Sequence, residues 1–184
     1  MTDEEFFNIV ESAIHPDFLC RAHGGYLVHE EIHHDGSTSR FRLKPSAKMV
    51  AFSLDKRGKN PFPVVAAGMN ARNDLTVICL GADASPLLFA IECKASESPG
   101  HAQYQIACGI AFGEYLFKLI RFSHGHALKP RCFGVAAYRP KSPPKGTTRP
   151  SFIKQGKGNM LRADWSIDVD LPISELIRAA EAIQ

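Results

Sequence analysis

Three charged residues occupy positions that a β hairpin would bring together. Asp74 lies directly before an apolar run at residues 75–80, and Glu92 and Lys94 close a second run that begins at residue 87. Because one residue separates Glu92 from Lys94, a strand projects both side chains to the same face of its sheet. Paired carboxylates beside a lysine are suited to hold a cation and to neutralise a phosphate.

The hairpin determines how close the two acids come. The turn residues at 81–86 join the two runs, so the start of the first strand lies beside the end of the second. Two carboxylates in a poorly solvated place repel each other unless a proton or a cation intervenes. Mg²⁺ accepts one or two carboxylates together with a substrate phosphate and waters. The pattern therefore predicts a Mg²⁺ site at Asp74 and Glu92, in which Mn²⁺ can substitute.

Each of these residues also has a purely structural interpretation. Asp74 is placed to bond the loop backbone as an ordinary turn residue. Glu92 and Lys94 are placed to form a charge pair on an edge strand. The sequence alone leaves both alternatives open.

The order Arg72-Asn73-Asp74, then Glu92-Cys93-Lys94, resembles the core motif of the PD-(D/E)XK nuclease superfamily. In that motif an aspartate opens a hairpin and an acid-x-lysine tripeptide closes it. The family often has proline before the aspartate, where this chain has Asn73. The resemblance covers about residues 3–138.

The resemblance implies a reaction and roles for the site residues. It implies hydrolysis of phosphodiester bonds, most simply those of DNA, by a metal-dependent endonuclease. Asp74 and Glu92 would bind the metal and the carbonyl of Cys93 would add a ligand. Lys94 would position the attacking water and stabilise the charge that develops on phosphorus.

The resemblance also implies contributions from two helices. A glutamate of the first helix can join the metal site, and we favour Glu11 over Glu4 and Glu5. A glutamine in the first turns of the helix after the lysine is expected near the site. Gln103 and Gln105 are two residues apart and do not share a helix face, and we favour Gln105.

The elements around these residues alternate between helix and strand. Thr2 and Glu5 form a capping-box pattern before the first helix, and Ser174 is a candidate cap for a helix at residues 173–183. Helical spacing predicts a long helix at residues 101–122. The remaining predicted elements are strands at residues 26–33, 39–44, 48–54, 75–80, 87–93, 132–138 and 165–169. This order predicts an α/β fold, and the resemblance narrows it to a restriction-endonuclease-like α/β/α sandwich, with a central mixed sheet flanked by helices.

The charges divide unevenly along the chain. Residues 115–163 contain no acid, and residues 139–162 read as one irregular basic loop. Such a stretch is either a solvated basic face or a surface that binds a phosphate backbone. The residues that we expect to bind nucleic acid are Arg139, Lys141, Lys145, Arg149, Lys154, Lys157 and Arg162.

Length and composition limit the remaining possibilities. The chain has 184 residues, of which 45% are hydrophobic and 22% charged, as expected for one globular domain over residues 1–184. It has no apolar run long enough for a membrane helix and its first residues lack the order of a signal peptide, so we expect a soluble cytoplasmic protein. A small nuclease that cuts both strands needs two active sites, which favours a homodimer. The alternative function is a catalytically idle module that binds nucleic acid or protein on the same fold, and RNA is a further possible substrate.

Overall fold

A computed structural model describes residues 1–32, 38–45, 47–56, 58–64, 71–94, 99–138, 151–154, 159–164 and 170–183 of the chain. The helices in these ranges are α1 (Asp3–Ser12), a 3₁₀ turn (Pro16–Phe18), α2 (Pro99–His124) and α3 (Ile173–Glu181). The strands are β1 (Ala22–His23), β2 (Tyr26–Ile32), β3 (Thr38–Lys44), β4 (Met49–Phe52), β5 (Leu75–Leu80), β6 (Pro86–Lys94), β7 (Arg131–Tyr138), β8 (Ser151–Lys154), β9 (Met160–Asp164) and β10 (Leu171–Pro172). The predicted α/β class is confirmed.

The largest sheet has six strands in the order β4-β5-β6-β7-β9-β8. Strands β4, β5 and β6 form an antiparallel meander, and β7 pairs in parallel with β6. The long helix α2 connects β6 to β7, as a parallel connection requires. Strand β9 then pairs in parallel with β7, and β8 pairs antiparallel with β9 at the edge.

The predicted hairpin of β5 and β6 is confirmed. The two strands pair from Leu75 opposite Ile91 to Leu80 opposite Pro86. The connecting turn is closed by the backbone N–H of Gly81, which donates to the carbonyl of Ser85 at 2.9 Å. Every residue of β5 except the last is buried, as its unbroken apolar sequence indicates.

Different elements cover the two faces of the six-stranded sheet. Helices α1 and α2 pack on the face that carries Leu88 and Ala90 of β6. The opposite face, with Phe89 and Ile91, packs against α3 and a second sheet of order β1-β2-β3-β10. The sequence predicted strands at residues 26–33 and 39–44 but not this second sheet, because β10 joins β3 in parallel from the far end of the chain.

Two local predictions are wrong. The predicted irregular loop at 139–162 contains β8 and most of β9, whose Leu161 and Ala163 are buried in the core. Alternation of apolar residues over this short stretch is enough to extend the sheet at its edge. Ser174 does not cap α3, because the helix begins at Ile173 and the N-cap is Pro172, with no side-chain cap.

Two further predictions are confirmed, and a third lies outside the described residues. The capping box of Thr2 and Glu5 is confirmed, and the long helix is confirmed with the wider bounds of α2. The predicted strand at residues 165–169 lies outside the described residues. Within the described ranges, no helix combines the length and the apolar character that crossing a membrane requires.

Candidate functional site

The open end of the β5–β6 hairpin brings Asp74 beside Glu92. Since Leu75 lies opposite Ile91, Asp74 lies opposite Glu92, and both belong to the sheet face covered by α2. Asp74 is 3% exposed and Glu92 is 0% exposed. Buried carboxylates are costly unless they are paired or hydrogen-bonded, so their placement here needs compensating partners.

Backbone groups of the hairpin supply two of these partners. The N–H of Asp74 donates to Oε2 of Glu92 at 3.1 Å, and the N–H of Cys93 donates to Oδ2 of Asp74 at 2.7 Å. Each carboxylate is thus held by the strand that carries the other. This reciprocal bonding fixes the two side chains at one place on the sheet.

Lys94 supplies a positive charge at the same place. Its ammonium forms an ion pair with Oε1 of Glu92, on the sheet face that both side chains share. The Lys94 side chain is 23% exposed, whereas Glu92 is inaccessible. Lys94 is therefore the member of the pair that is accessible from solvent.

Asn73 ties the entry of β5 to both strands of the hairpin. Its Nδ2 donates to the carbonyl of Leu75 at 2.7 Å and to Oγ1 of Thr76 at 3.0 Å. The same amide lies 3.5 Å from the carbonyl of Ile91 on β6. Asn73 is fully buried, and it holds the backbone from which Asp74 projects.

Helix α2 reaches the site through Gln105 and Gly109. Gln105 Nε2 donates to the carbonyl of Arg72 at 2.9 Å, and its Oε1 is buried without a hydrogen-bond partner in the described part of the chain. A Cβ built on Gly109 would lie 2.2 Å from Oδ1 of Asn73, so the glycine allows the helix to approach this closely. Of the two candidate glutamines, Gln105 contacts the site segment and Gln103 is exposed.

Arg162 lies in the same cross-strand row as the two acids. Glu92 of β6 is opposite Ala136 of β7, which is opposite Arg162 of β9. Residues that face each other across paired strands project to the same face, so Arg162 lies on the face of Glu92, two strands away. The intervening Ala136 is buried in the core that α2 covers.

Glu11 is not brought to the acid pair. It is exposed and lies 3.8 Å from the guanidinium of Arg21. It borders a cleft with Met49 and Ala51 of β4, toward the turn end of the hairpin, whereas Asp74 is at the open end. Glu4 and Glu5 are also exposed, and Glu5 is engaged in the cap of α1.

The remaining predicted site residues are distributed differently. The Cys93 side chain is buried in the core on the opposite face, while its backbone N–H donates to Asp74. Lys154 is exposed on the edge strand β8. The predicted nucleic-acid-binding residues Arg139, Lys141, Lys145, Arg149 and Lys157 lie outside the described residues.

The donor atoms at the acid pair fit a hard divalent cation. Asp74 and Glu92 offer carboxylate oxygens, the ligand type that Mg²⁺ and Mn²⁺ prefer. No group of three His, Cys, Asp or Glu within the described ranges is arranged to hold a metal. The pair would therefore supply two ligands and leave the other positions to a backbone oxygen, to waters and to substrate oxygens, which is the usual arrangement for Mg²⁺.

The chain was compared with models of protein families, with curated proteins and with solved structures, and none of them matches.

Three residues that contribute to the site were not predicted from the sequence to do so. Asn73 and Gly109 position the helix against the strand entry. Arg72 accepts from Gln105 through its carbonyl, and its guanidinium lies 3.4 Å from Asp55 and donates to the carbonyl of Lys59 at 3.0 Å. The available signal was Gly109-x-x-x-Gly113, whose spacing places both glycines on one face of α2 and indicates close packing.

Proposed function

We propose that this chain is a Mg²⁺-dependent endonuclease that hydrolyses phosphodiester bonds of DNA on a restriction-endonuclease-like fold. The observation that carries the proposal is the reciprocal hydrogen bonding of Asp74 and Glu92 at the open end of a buried hairpin. A structural charge pair does not explain two buried carboxylates on neighbouring strands, because each adds a desolvation cost. A cation-dependent reaction would account for the arrangement, because a bound cation needs both carboxylates and offsets their repulsion.

The order of elements supports the same proposal. Helix α1 opens the chain, the β5–β6 hairpin carries the aspartate and the acid-x-lysine, and α2 follows the lysine. This is the order that the resemblance to the PD-(D/E)XK superfamily implies. The contact of Gln105 with the carbonyl of Arg72 adds a glutamine of α2 at the expected end of the hairpin.

The residues of the site would have different roles in hydrolysis. Asp74 and Glu92 would hold Mg²⁺, with the Cys93 carbonyl as a further oxygen ligand. A bound Mg²⁺ supplies charge neutralisation at phosphorus and acidifies water. Lys94, at the solvent side of Glu92, orients the attacking water by hydrogen bonding and offsets the negative charge that develops on the phosphate oxygens.

A basic residue of β9 would hold the DNA backbone. Arg162 shares the row of Glu92, whereas Lys154 of β8 lies opposite the buried Leu161 and projects to the α3 face of the sheet, away from the acid pair. Contacts of this kind bind phosphate and carry no sequence information, so they set affinity and register. Arg162, two strands away from Glu92 on the same face, would bind the phosphates beside the one that is cleaved.

The proposal is tested by cleavage of supercoiled plasmid, single-stranded DNA and RNA with Mg²⁺ or Mn²⁺. We expect wild type to cut DNA and Asp74→Asn and Lys94→Met to be at least ~100-fold slower, in the range observed for loss of acid–base or charge-stabilising groups. The matched controls are Asp83→Asn and Lys129→Met, which change exposed residues away from the acid pair. Circular dichroism confirms that each variant is folded.

Two outcomes would overturn the proposal. Equal cutting by wild type and by both site variants would show that the activity does not come from this site. Tight DNA binding by wild type without any cleavage in either metal would instead establish the idle binding module. Cleavage of RNA alone would keep the chemistry and correct the substrate.

A further inference from the structure

Helix α2 carries large apolar side chains on the face that points away from the sheet. Tyr104 is 48% exposed, Tyr115 55%, Leu119 41% and Phe122 83%. Their spacing of 11, 4 and 3 residues keeps them in one line along the helix, because it corresponds to nearly whole helical turns. We call this line of four residues the outer stripe.

The outer stripe lies opposite the face by which α2 packs on the sheet. Ala102, Ile106, Leu116 and Ile120 define the packed face, and all are buried. A surface helix ordinarily carries polar residues opposite its packed face. A contiguous exposed apolar line is typical of an interaction site.

We propose that the outer stripe is the interface with a second copy of this chain, in which two α2 helices pack antiparallel about a two-fold axis that crosses the exposed side of α2 at the level of residue 113. The proposal does not depend on the nuclease function.

The sequence of the stripe is complementary to itself in this arrangement. A two-fold interface pairs residues that are equally distant from its centre. Around position 113 the pairs are Tyr104 with Phe122 and Ala107 with Leu119. The third pair is Ala111 with Tyr115.

Size and exposure agree with these pairs. Ala107 and Ala111 are both exposed, so each gives a shallow place on the helix surface for the larger side chain of the other copy. Interdigitation of large and small side chains is what close helix packing requires.

The charges beside the stripe do not oppose this packing. Residues 99–113, the N-terminal half of α2, contain no Asp, Glu, Lys or Arg. The exposed charged residues Glu114, Lys118 and Arg121 belong to the C-terminal half, and the two-fold axis places each of them beside the uncharged half of the other copy. The antiparallel orientation also places the positive N-terminal end of each helix dipole beside the negative C-terminal end of the other.

The exposed area is sufficient for a weak but specific dimer. With about 200 Å² for each large side chain, the four exposed fractions amount to roughly 450 Å² per copy, or roughly 900 Å² for two copies. Ala107, Ala111 and the stem of Lys118 add to this, which brings the interface to the ~1,000 Å² that specific contacts require. We therefore expect association in the micromolar range.

Sedimentation equilibrium of the full chain tests the interface. At about 100 µM we expect wild type to sediment at twice the chain mass of 20.2 kDa, and Leu119→Glu to weaken the dimer at least ~10-fold. The matched control is Val64→Glu, which places the same charge at an apolar residue that is 95% exposed and lies outside α2. The control is expected to remain a dimer.

A second substitution tests the pairing itself. Adding Ala107→Lys to Leu119→Glu places opposite charges at positions that meet across the axis, so we expect the double variant to regain dimer. A monomeric wild type at this concentration would overturn the proposal, as would a dimer unaffected by Leu119→Glu. A double variant as weak as Leu119→Glu would overturn the antiparallel arrangement.

Discussion

Gly109 of α2 lies against Asn73 so closely that a Cβ on the glycine would stand 2.2 Å from the Asn73 Oδ1. The same asparagine bonds the carbonyl of Leu75 and Oγ1 of Thr76. The helix and the hairpin are thus joined one residue before Asp74. The contact therefore helps to hold the backbone from which Asp74 projects.

Gly109→Ala is expected to destabilise the protein by about 2 kcal/mol, because the new methyl group overlaps Asn73 in a tightly packed place. A loss of stability would point to the overlap with Asn73, because replacing glycine by alanine inside a helix normally stabilises the helix by about 1 kcal/mol. Urea unfolding followed by circular dichroism measures the change. The matched control is Gln103→Gly, at an exposed position of α2 outside the outer stripe, which should cost only its helix propensity. An increase in the stability of Gly109→Ala would show that α2 does not pack this closely on Asn73.

Asn73→Ala is expected to lower the free energy of unfolding by about 2–3 kcal/mol, because it leaves buried acceptors on both strands without their donor. Asn73→Asp is expected to cost more, since it removes the amide donor and adds a third carboxylate beside Asp74 and Glu92. The exposed Asn60 provides the control substitution Asn60→Ala. Loss of less than about 0.5 kcal/mol in Asn73→Ala would mean that its hydrogen bonds do not hold the hairpin.

The parts of the fold that the sequence predicted are those with short-range causes. The hairpin of β5 and β6 follows from two apolar runs and a turn, and the capping box of α1 lies within four residues. The pairing of Asp74 with Glu92 follows from the same hairpin. Helical spacing separates the faces of Gln103 and Gln105, so at most one of the two could point at the site.

The parts that escaped prediction depend on contacts between distant segments. Strand β10 pairs in parallel with β3, and β9 pairs in parallel with β7, and no turn signal marks either pairing. The position of Glu11 depends on how α1 lies along β4, which periodicity does not encode. The cap of α3 was missed because Leu171–Pro172 is engaged as β10 directly before the helix.

Stability is expected to decrease above pH 9 through a buried thiol. Burial, and to a lesser degree the negative charge of Glu181, raises the pKa of Cys79 from 9.0 to about 12. In the unfolded chain the thiol ionises near pH 9 and in the folded chain it stays protonated, so the unfolded state binds fewer protons and gains stability as pH rises. Between pH 9 and 12 this group removes about 1.4 kcal/mol for each pH unit.

Chemical unfolding at pH 8, 9, 10 and 11 gives the free energy of unfolding at each pH. The effect is the difference between wild type and Cys79→Ala in the slope of this free energy against pH. We expect the variant to lose stability less steeply above pH 9. Cys20→Ala provides a second test, because burial also raises the pKa of the half-buried Cys20 and its variant should show the same direction. Equal slopes for wild type and Cys79→Ala would contradict a protonated buried thiol.

The meeting of Asp74 and Glu92 at one divalent ion is tested most directly by the anomalous scattering of a crystal soaked with Mn²⁺. We predict a single peak at about 2 Å from a carboxylate oxygen of each residue, with Lys94 beside it. The peak should be missing from crystals of Asp74→Asn prepared in the same way. No peak at this position in wild type, with the Asp74–Glu92 hydrogen bonds unchanged, would contradict the proposed metal site and the nuclease built on it.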